Sequence, residues 1–424
     1  MMNSYSLPYG NSSIDFLIES DKLVDLILPN KVLTKLSGSE LVRNALNNPL
    51  NGVNGFNNLH AGSKIVITIN DKTRPVPNTV LLPPLLEMLS NVGVRQQNIR
   101  ILIASGTHIP MKPEEFCQIL DKEIISKYQI YAHDCDDSSN LLFLGETSSG
   151  TPVYVNKYFY EADLRIVVGD IEPHHFAGYS GGVKSASIGL CGRTTINTNH
   201  MHLLDQRSTV GRYDDNPLRM DIEEIGRIIQ VDLSLNAVLD EKKKILGVFF
   251  GKPVDVMREG IKLVNSICQV PVPYKYDLVI ASAGGYPKDI NLYQSQKAMT
   301  HASLFCKKGG TILLAAECRE GVGSDGYVNF MKDLKTIEEI KMKFSKQGFS
   351  VGPHKAIQIA RIIENHNVLL HSSMPDELVK SLLLCPVELD HTYLSKLIEN
   401  IPQASRIAIL PYATACIPTL QLED

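Results

Sequence analysis

Short runs of Val, Ile and Leu recur along the chain, each closed by a polar or glycine-rich turn and many followed by a helix-like stretch. "SKIVITIND" (63–71) precedes an apolar-periodic segment from Asn78 to Leu89. The pattern repeats in "IRILIASGTH" (99–108), "ADLRIVVGDIE" (162–172), "YDLVIASAGG" (276–285), "GGTILLAAE" (309–317), "HNVLLHSS" (366–373) and "SRIAILP" (405–411). A strand buried on both faces shows no polar alternation, and strands alternating with helices build βαβ units. The chain is therefore expected to be an α/β protein. "SICQVPVPYKYD", near residue 270, carries two prolines and breaks the alternation as a linker does. It divides the chain into an N-terminal α/β domain (1–270) and a C-terminal one (271–424), expected to face each other across a cleft that suits small molecules. Within the first, "SLNAVLDEKKKILGVFFGK" (234–252) reads as a β-hairpin with the charged DEKKK at its turn.

Charge and composition narrow the partners. A formal net charge of −4 over 424 residues lacks the basic excess of a nucleic-acid binder. The basic runs "EKKK" and "KMKFSK" are short and mixed, and are expected to be solvated faces. No run approaches the ~18 apolar residues of a membrane span. The first residues, "MMNSYSLPYGNSSID", show neither a basic nor an apolar leader region, so a cytoplasmic location is expected. The eight cysteines, scattered from Cys117 to Cys416 without a C-x-x-C pair, suit neither a disulfide framework nor a thiolate zinc site.

In open α/β sheets, ligands gather at the carboxyl ends of the strands. "NDKTRPVP" places Asp71, Lys72, Thr73 and Arg74 there, and "SGTHIP" places Ser105, Thr107 and His108. "GDIEPHHFAGYSGGVK" adds Asp170, Glu172, His174, His175 and Lys184; "GGYPKDINLYQSQKAM" adds Tyr293, Gln294 and Lys297. Singly, each has an ordinary structural use: a helix cap, a packed imidazole, a solvated amine, a guanidinium tying down its loop. Their recurrence at four strand ends points instead to a catalytic cleft. The glycines of "GYSGG" (178–182) would let backbone N–H groups approach an anion, although the loop lacks Walker A spacing. "GVGSDG" (321–326) satisfies G-x-G-x-x-G, but "CRE" separates it from its strand and no clear helix is expected at its third glycine. A turn-rich loop is the better reading than a dinucleotide site.

Five of these elements, "DKTRPVP", "SGTHIP", "EPHHFAGYSGGVKS", "TINTNH" and "GGYPKDINLYQSQK", occur in order between residues 71 and 297. Together they resemble the nickel-dependent lactate racemase family. The resemblance implies racemisation or epimerisation of a 2-hydroxy carboxylic acid by reversible hydride transfer from the α-carbon. It also implies a nickel-pincer nucleotide, a pyridinium mononucleotide with two sulfur-containing arms, covalently joined to Lys184 and supplied by cofactor-biosynthesis proteins. By the same resemblance His200 ligates nickel, His108 and His174 are the paired acid/bases, and Arg74 and Lys297 hold the carboxylate. Tyr293 and Gln294 would line the substrate pocket, while Asp71, Thr73, Ser180, Gly181 and Gly182 would lie beside the cofactor. Ile109 and Val183 depart from the family pattern, which often has arginine at both positions. With those charges missing, an uncharged 2-hydroxy monocarboxylic acid is expected in preference to a diacid. Two other readings fit parts of the pattern. A zinc hydrolase could use His108, His174 and His200, and a non-catalytic carboxylate binder could use Arg74 and Lys297.

Overall fold

The computed structural model describes residues 2–420 except 20, 21, 54, 241, 401 and 403, with the backbone alone at 391, 392 and 400. The chain divides into two compact units, Val32–Ser266 and a second one joining Met1–Lys31 to Ile267–Asp424.

The unit Val32–Ser266 is built on a six-stranded sheet in the order Ile245–Gly251, Leu233–Leu239, Leu164–Asp170, Ile65–Asn70, Ile99–Ala104, Gln129–Ala132. All neighbours are parallel except the hairpin of the first two, whose turn holds Asp240 and Lys242–Lys244 of the expected charged run; Glu241 of that run lies outside the described residues. Successive strand residues face opposite ways, so the continuous apolar runs feed two cores. Ile65, Ile67 and Ile69 pack with Val42 and Leu46 of helix Gly38–Asn47 and with Leu81, Leu85 and Leu89 of helix Asn78–Asn91. Val66, Leu102 and Val167 pack on the other face with Phe159, Ile196, Ile225 and Ile229. Helix Gly38–Asn47 starts from a capping box between Ser37 and Glu40, which satisfies two otherwise orphaned donors.

The second unit has its own six-stranded sheet, ordered Cys385–Pro386, Asn367–His371, Cys306–Ala315, Tyr276–Ser282, Arg406–Leu410, Leu23–Leu26, with every pairing parallel. The N-terminal hairpin Met2–Tyr9/Ser12–Glu19 buries Leu7, Phe16 and Ile18 against Leu278, Ile280 and Ile409. Residues 1–31 therefore belong with the C-terminal half, whereas the sequence pattern assigns them to the N-terminal domain. Pairing partners decide this: Leu23–Leu26 lies beside Arg406–Leu410, and Asp25 accepts from the Tyr276 hydroxyl at 2.8 Å. A four-residue strand carries no local mark of the sheet it joins.

A helix, Asp325–Met331, does begin at the third glycine of "GVGSDG", contrary to the sequence expectation. The loop nevertheless serves a packing role. Gly321 and Val322 carbonyls accept from Leu292 and Tyr293 N–H at 3.0 Å, capping helix Leu292–Phe305. A Cβ at Gly323 would lie 2.3–2.7 Å from the Asn291 side chain, so the glycine makes room for that neighbour. Among the described residues no helix is long and apolar enough to cross a membrane.

Candidate active site

From Ile65–Asn70 the first sheet grows outward through Ile99–Ala104 to Gln129–Ala132, and then resumes on the other side at Leu164–Asp170. The reversal between Ile65–Asn70 and Leu164–Asp170 is the topological switch point, where open α/β sheets leave a crevice. Asp71–Arg74 leave one of these strands and the Asp170–Lys184 segment leaves the other.

Asp71 is buried and gathers its neighbours. Its Oδ1 accepts from the Thr73 hydroxyl at 2.6 Å and the Thr73 N–H at 2.9 Å, while Oδ2 lies 2.7 Å from His108 Nδ1. Burial pushes the Asp71 carboxyl up, but the hydrogen bonds from His108 and Thr73 outweigh it and leave it below the ordinary carboxylate range. An ionised carboxylate only accepts, so His108 donates through Nδ1 and its neutral ring has the lone pair on Nε2. The His108 side chain remains 41% exposed. Asp71 and Thr73 thus orient His108, a link the sequence reading did not draw.

The Glu172–Lys184 segment folds back on itself, with His174 paired to Gly178 across a short antiparallel ladder. His174 is buried, and its Nδ1 accepts from Ala177 N–H at 3.2 Å, so a neutral ring carries its proton on Nε2. Ser180 Oγ accepts from Glu172 N–H at 2.9 Å and donates to the Asp170 carbonyl at 3.0 Å. Gly181 and Gly182 both have left-handed backbone, φ 82° and 59°. A Cβ on Gly182 would meet Met257 Cγ at 2.6 Å, and the Gly182 N–H already donates to Asn236 Oδ1 at 2.7 Å. These residues shape the loop through contacts within the protein, and the Gly182 amide is spoken for by Asn236 rather than turned to an anion.

Lys184 opens a short helix, Lys184–Ser187. Desolvation, with Arg74 and Arg219 nearby, lowers its amine to about 7. His200, on helix Arg193–Met201, is buried and is lowered to about 3, first by desolvation and then by the Lys184 charge. Phe176 joins the histidines, with ring centroids 4.6 Å from His174 and 5.2 Å from His200. Asp170 is raised to about 7 by burial and by Glu172. Lys243 of the hairpin turn stands 3.9 Å from Asp170 and 3.6 Å from Glu172, so the DEKKK run is more than a solvated face.

The remaining sequence-derived residues, Tyr293, Gln294 and Lys297, sit in the second unit on the first turns of helix Leu292–Phe305, whose N-cap is Asn291. Lys297 Nζ donates to Gln294 Oε1 at 2.9 Å. Lys355, buried on helix Pro353–Ile363 and unmarked in the sequence reading, places Nζ 4.6 Å from the Tyr293 ring centroid and donates to Gln296 Oε1 at 3.0 Å.

The geometry does not assemble the zinc alternative. Among the described residues, the trio of potential ligand atoms within 4.8 Å of one another is Asp134, Cys135 and Asp136, not His108, His174 and His200. Asp136 in that trio accepts from Arg193 Nε at Oδ1 and from Arg193 Nη2 at Oδ2, each at 2.6 Å.

The lactate racemase N-terminal domain model matches residues 9–211, and the C-terminal domain model matches residues 272–417. The lactate racemase of Thermoanaerobacterium thermosaccharolyticum is 32% identical over 426 residues, 98% of this chain and 99% of that protein. The lactate racemase of Lactiplantibacillus plantarum is 32% identical over 424 residues, covering 97% and 98%. The structure of the Thermoanaerobacterium lactate racemase apoprotein superposes with a TM-score of 0.88 at 31% identity, covering 98% of this chain and all of that one. A Thermotoga maritima protein shares the fold at a TM-score of 0.65 and 18% identity, covering 93% of this chain and 100% of its own. With both domain models matched and full-length relatives on either side, this chain belongs to the lactate racemase family.

Proposed function

We propose that the protein racemises a 2-hydroxy monocarboxylic acid of the lactate kind, with a nickel-pincer nucleotide held on Lys184. The observation that carries the reading is the Asp71–His108 pair beside the same switch point as Lys184. The racemase activity itself follows from the family.

The chain's own groups fit such a cofactor. An amine lowered to about 7 is about half unprotonated at neutral pH, and a lysine must be unprotonated to form an amide-like link. An imidazole lowered to about 3 keeps its lone pair for a metal throughout the working range. Lys184 would carry the group and His200 would ligate its nickel. When bound, the group supplies an electrophilic acceptor for the hydrogen on the substrate α-carbon.

The protein's part is orientation and proton transfer. Arg74 offers a planar fork to the substrate carboxylate, and Lys297 adds a point charge. His108 Nε2, aimed by Asp71, takes the hydroxyl proton on one face, and His174 serves the other. A racemase needs a proton carrier on each face because either enantiomer can be substrate. The free thiols of the cysteines suit the cytoplasm, where proteins that make the cofactor would load the chain.

Protein produced together with a cofactor-synthesis pathway should interconvert D- and L-lactate and lose that activity in Lys184→Ala. Loaded wild-type protein that leaves enantiopure lactate and longer aliphatic 2-hydroxy acids unchanged would overturn the reading.

A further inference from the structure

Among the described residues Arg219 is the largest fully buried side chain, and neither the sequence motifs nor the proposed chemistry uses it. It lies in the first turn of helix Pro217–Ile228. Nη1 donates to the Tyr179 carbonyl at 3.0 Å and Nη2 to the Gly181 carbonyl at 3.2 Å. On its other side Nε and Nη2 donate to Glu223 Oε1 at 2.9 and 2.6 Å, and the guanidinium lies 4.9 Å above the Tyr213 ring. Tyr213 donates its hydroxyl proton to the same Glu223 oxygen at 2.9 Å.

A buried ion pair is weak grounds for stability, since apolar replacements often do as well; its better-attested use is to fix one arrangement among several. Here the rigid fork spans two carbonyls of the turn that leads into Lys184, and only a guanidinium offers several donors in fixed directions. The same helix backs that segment again at Gly226, where a Cβ would lie 2.5 Å from Val183. Its N-cap Asn216 donates to the Phe176 carbonyl at 2.8 Å. From these contacts we infer that Arg219 is the positioning residue for Lys184: it holds the turn at Tyr179–Gly182 so that the amine is presented in one place for cofactor attachment.

The inference rests on the proposed role of Lys184, and the test separates the two. Wild type, Arg219→Lys and Lys184→Ala would be produced with the cofactor-synthesis pathway, and adduct occupancy read by intact mass. Hydrogen exchange across residues 178–187 would be compared with that across strand Ile65–Asn70. Arg219→Lys keeps the charge but cannot span both carbonyls. Its adduct should fall to a tenth of wild type or less, with faster exchange confined to 178–187 and a cooperative melt retained. A uniform rise in exchange with occupancy unchanged would mean a structural role only. Should Arg219→Lys fail to fold, Glu223→Gln carries the test, because it leaves the guanidinium in place without its counter-charge. Wild-type occupancy in whichever variant folds would overturn the positioning role. Wild-type protein without a Lys184-dependent adduct would instead overturn the attachment reading.

Discussion

Asp71 Oδ2 stands 2.7 Å from His108 Nδ1, although 37 residues separate the two in the chain. Parallel pairing of Ile65–Asn70 with Ile99–Ala104 brings their strand ends together. The contact fixes the tautomer of the neutral ring and leaves its lone pair on Nε2, the atom to which the proposed function gives the proton.

Asp71→Asn should therefore slow turnover on the order of a hundredfold while changing KM little, because a misdirected imidazole still leaves the carboxylate clamp intact. The stability effect has a definite sign. Asp71 sits below its ordinary range in the folded protein, so its contribution is complete above that range and lost as pH falls through the folded value. The variant should melt lower than wild type at pH 7, with the gap closing in strong acid. Steady-state kinetics and melting curves at pH 7 and pH 3 check both parts. Wild-type turnover would remove Asp71 from the proton-transfer apparatus.

His108→Ala and His174→Ala should each lose racemisation in both directions, by about a hundredfold or more, because every turnover uses both carriers. Progress curves started from pure D- and pure L-lactate measure this. A single variant that keeps most of its rate in either direction excludes that histidine as a required carrier.

Attachment at Lys184 should depend on pH. With the amine lowered to about 7, its unprotonated fraction rises roughly tenfold per unit up to that value and levels off above it. Incubating apoprotein with isolated cofactor between pH 5 and 9, and following the adduct by mass, should give a rate that climbs and then flattens. A rate still climbing at pH 9 would show that Lys184 keeps an ordinary lysine amine.

The strands were legible because buried parallel strands leave continuous apolar runs, as in "IVITIN" and "RIVVGD". The hairpin at 233–251 was legible from its charged turn. What escaped depends on contacts remote in sequence. The placement of residues 1–31 is set by the pairing of Leu23–Leu26 with Arg406–Leu410. Arg219 and Glu223 look like an everyday helical pair at i and i+4, and only the fold shows that Arg219 is buried against a loop forty positions earlier. The "GYSGG" loop invited an anion-binding reading because glycine also serves packing, and sequence does not separate the two uses. Here Asn236 and Met257 supply the packing reason at Gly182.

Under the proposed function, substrate class would depend on which substrate-binding residues carry charge. Ile109 is 90% exposed and Val183 is packed against helix Pro217–Ile228, so neither offers a second carboxylate a partner. Lactate-like acids should be turned over in preference to malate, and Arg74→Ala should raise KM and also slow turnover by misplacing the α-hydrogen. Parallel assays of both acids on one loaded sample test this. A clear preference for malate would point to an additional cation, with buried Lys355 beneath Tyr293 the first to mutate.

If one group held on Lys184 makes this chain a racemase, removing that lysine must abolish racemisation. The most direct measurement follows the enantiomeric composition of pure L-lactate incubated with loaded wild-type protein and with identically prepared Lys184→Ala. Decay to an equal mixture with wild type, and none with the variant, is the predicted result. Racemisation by Lys184→Ala at the wild-type rate would contradict it.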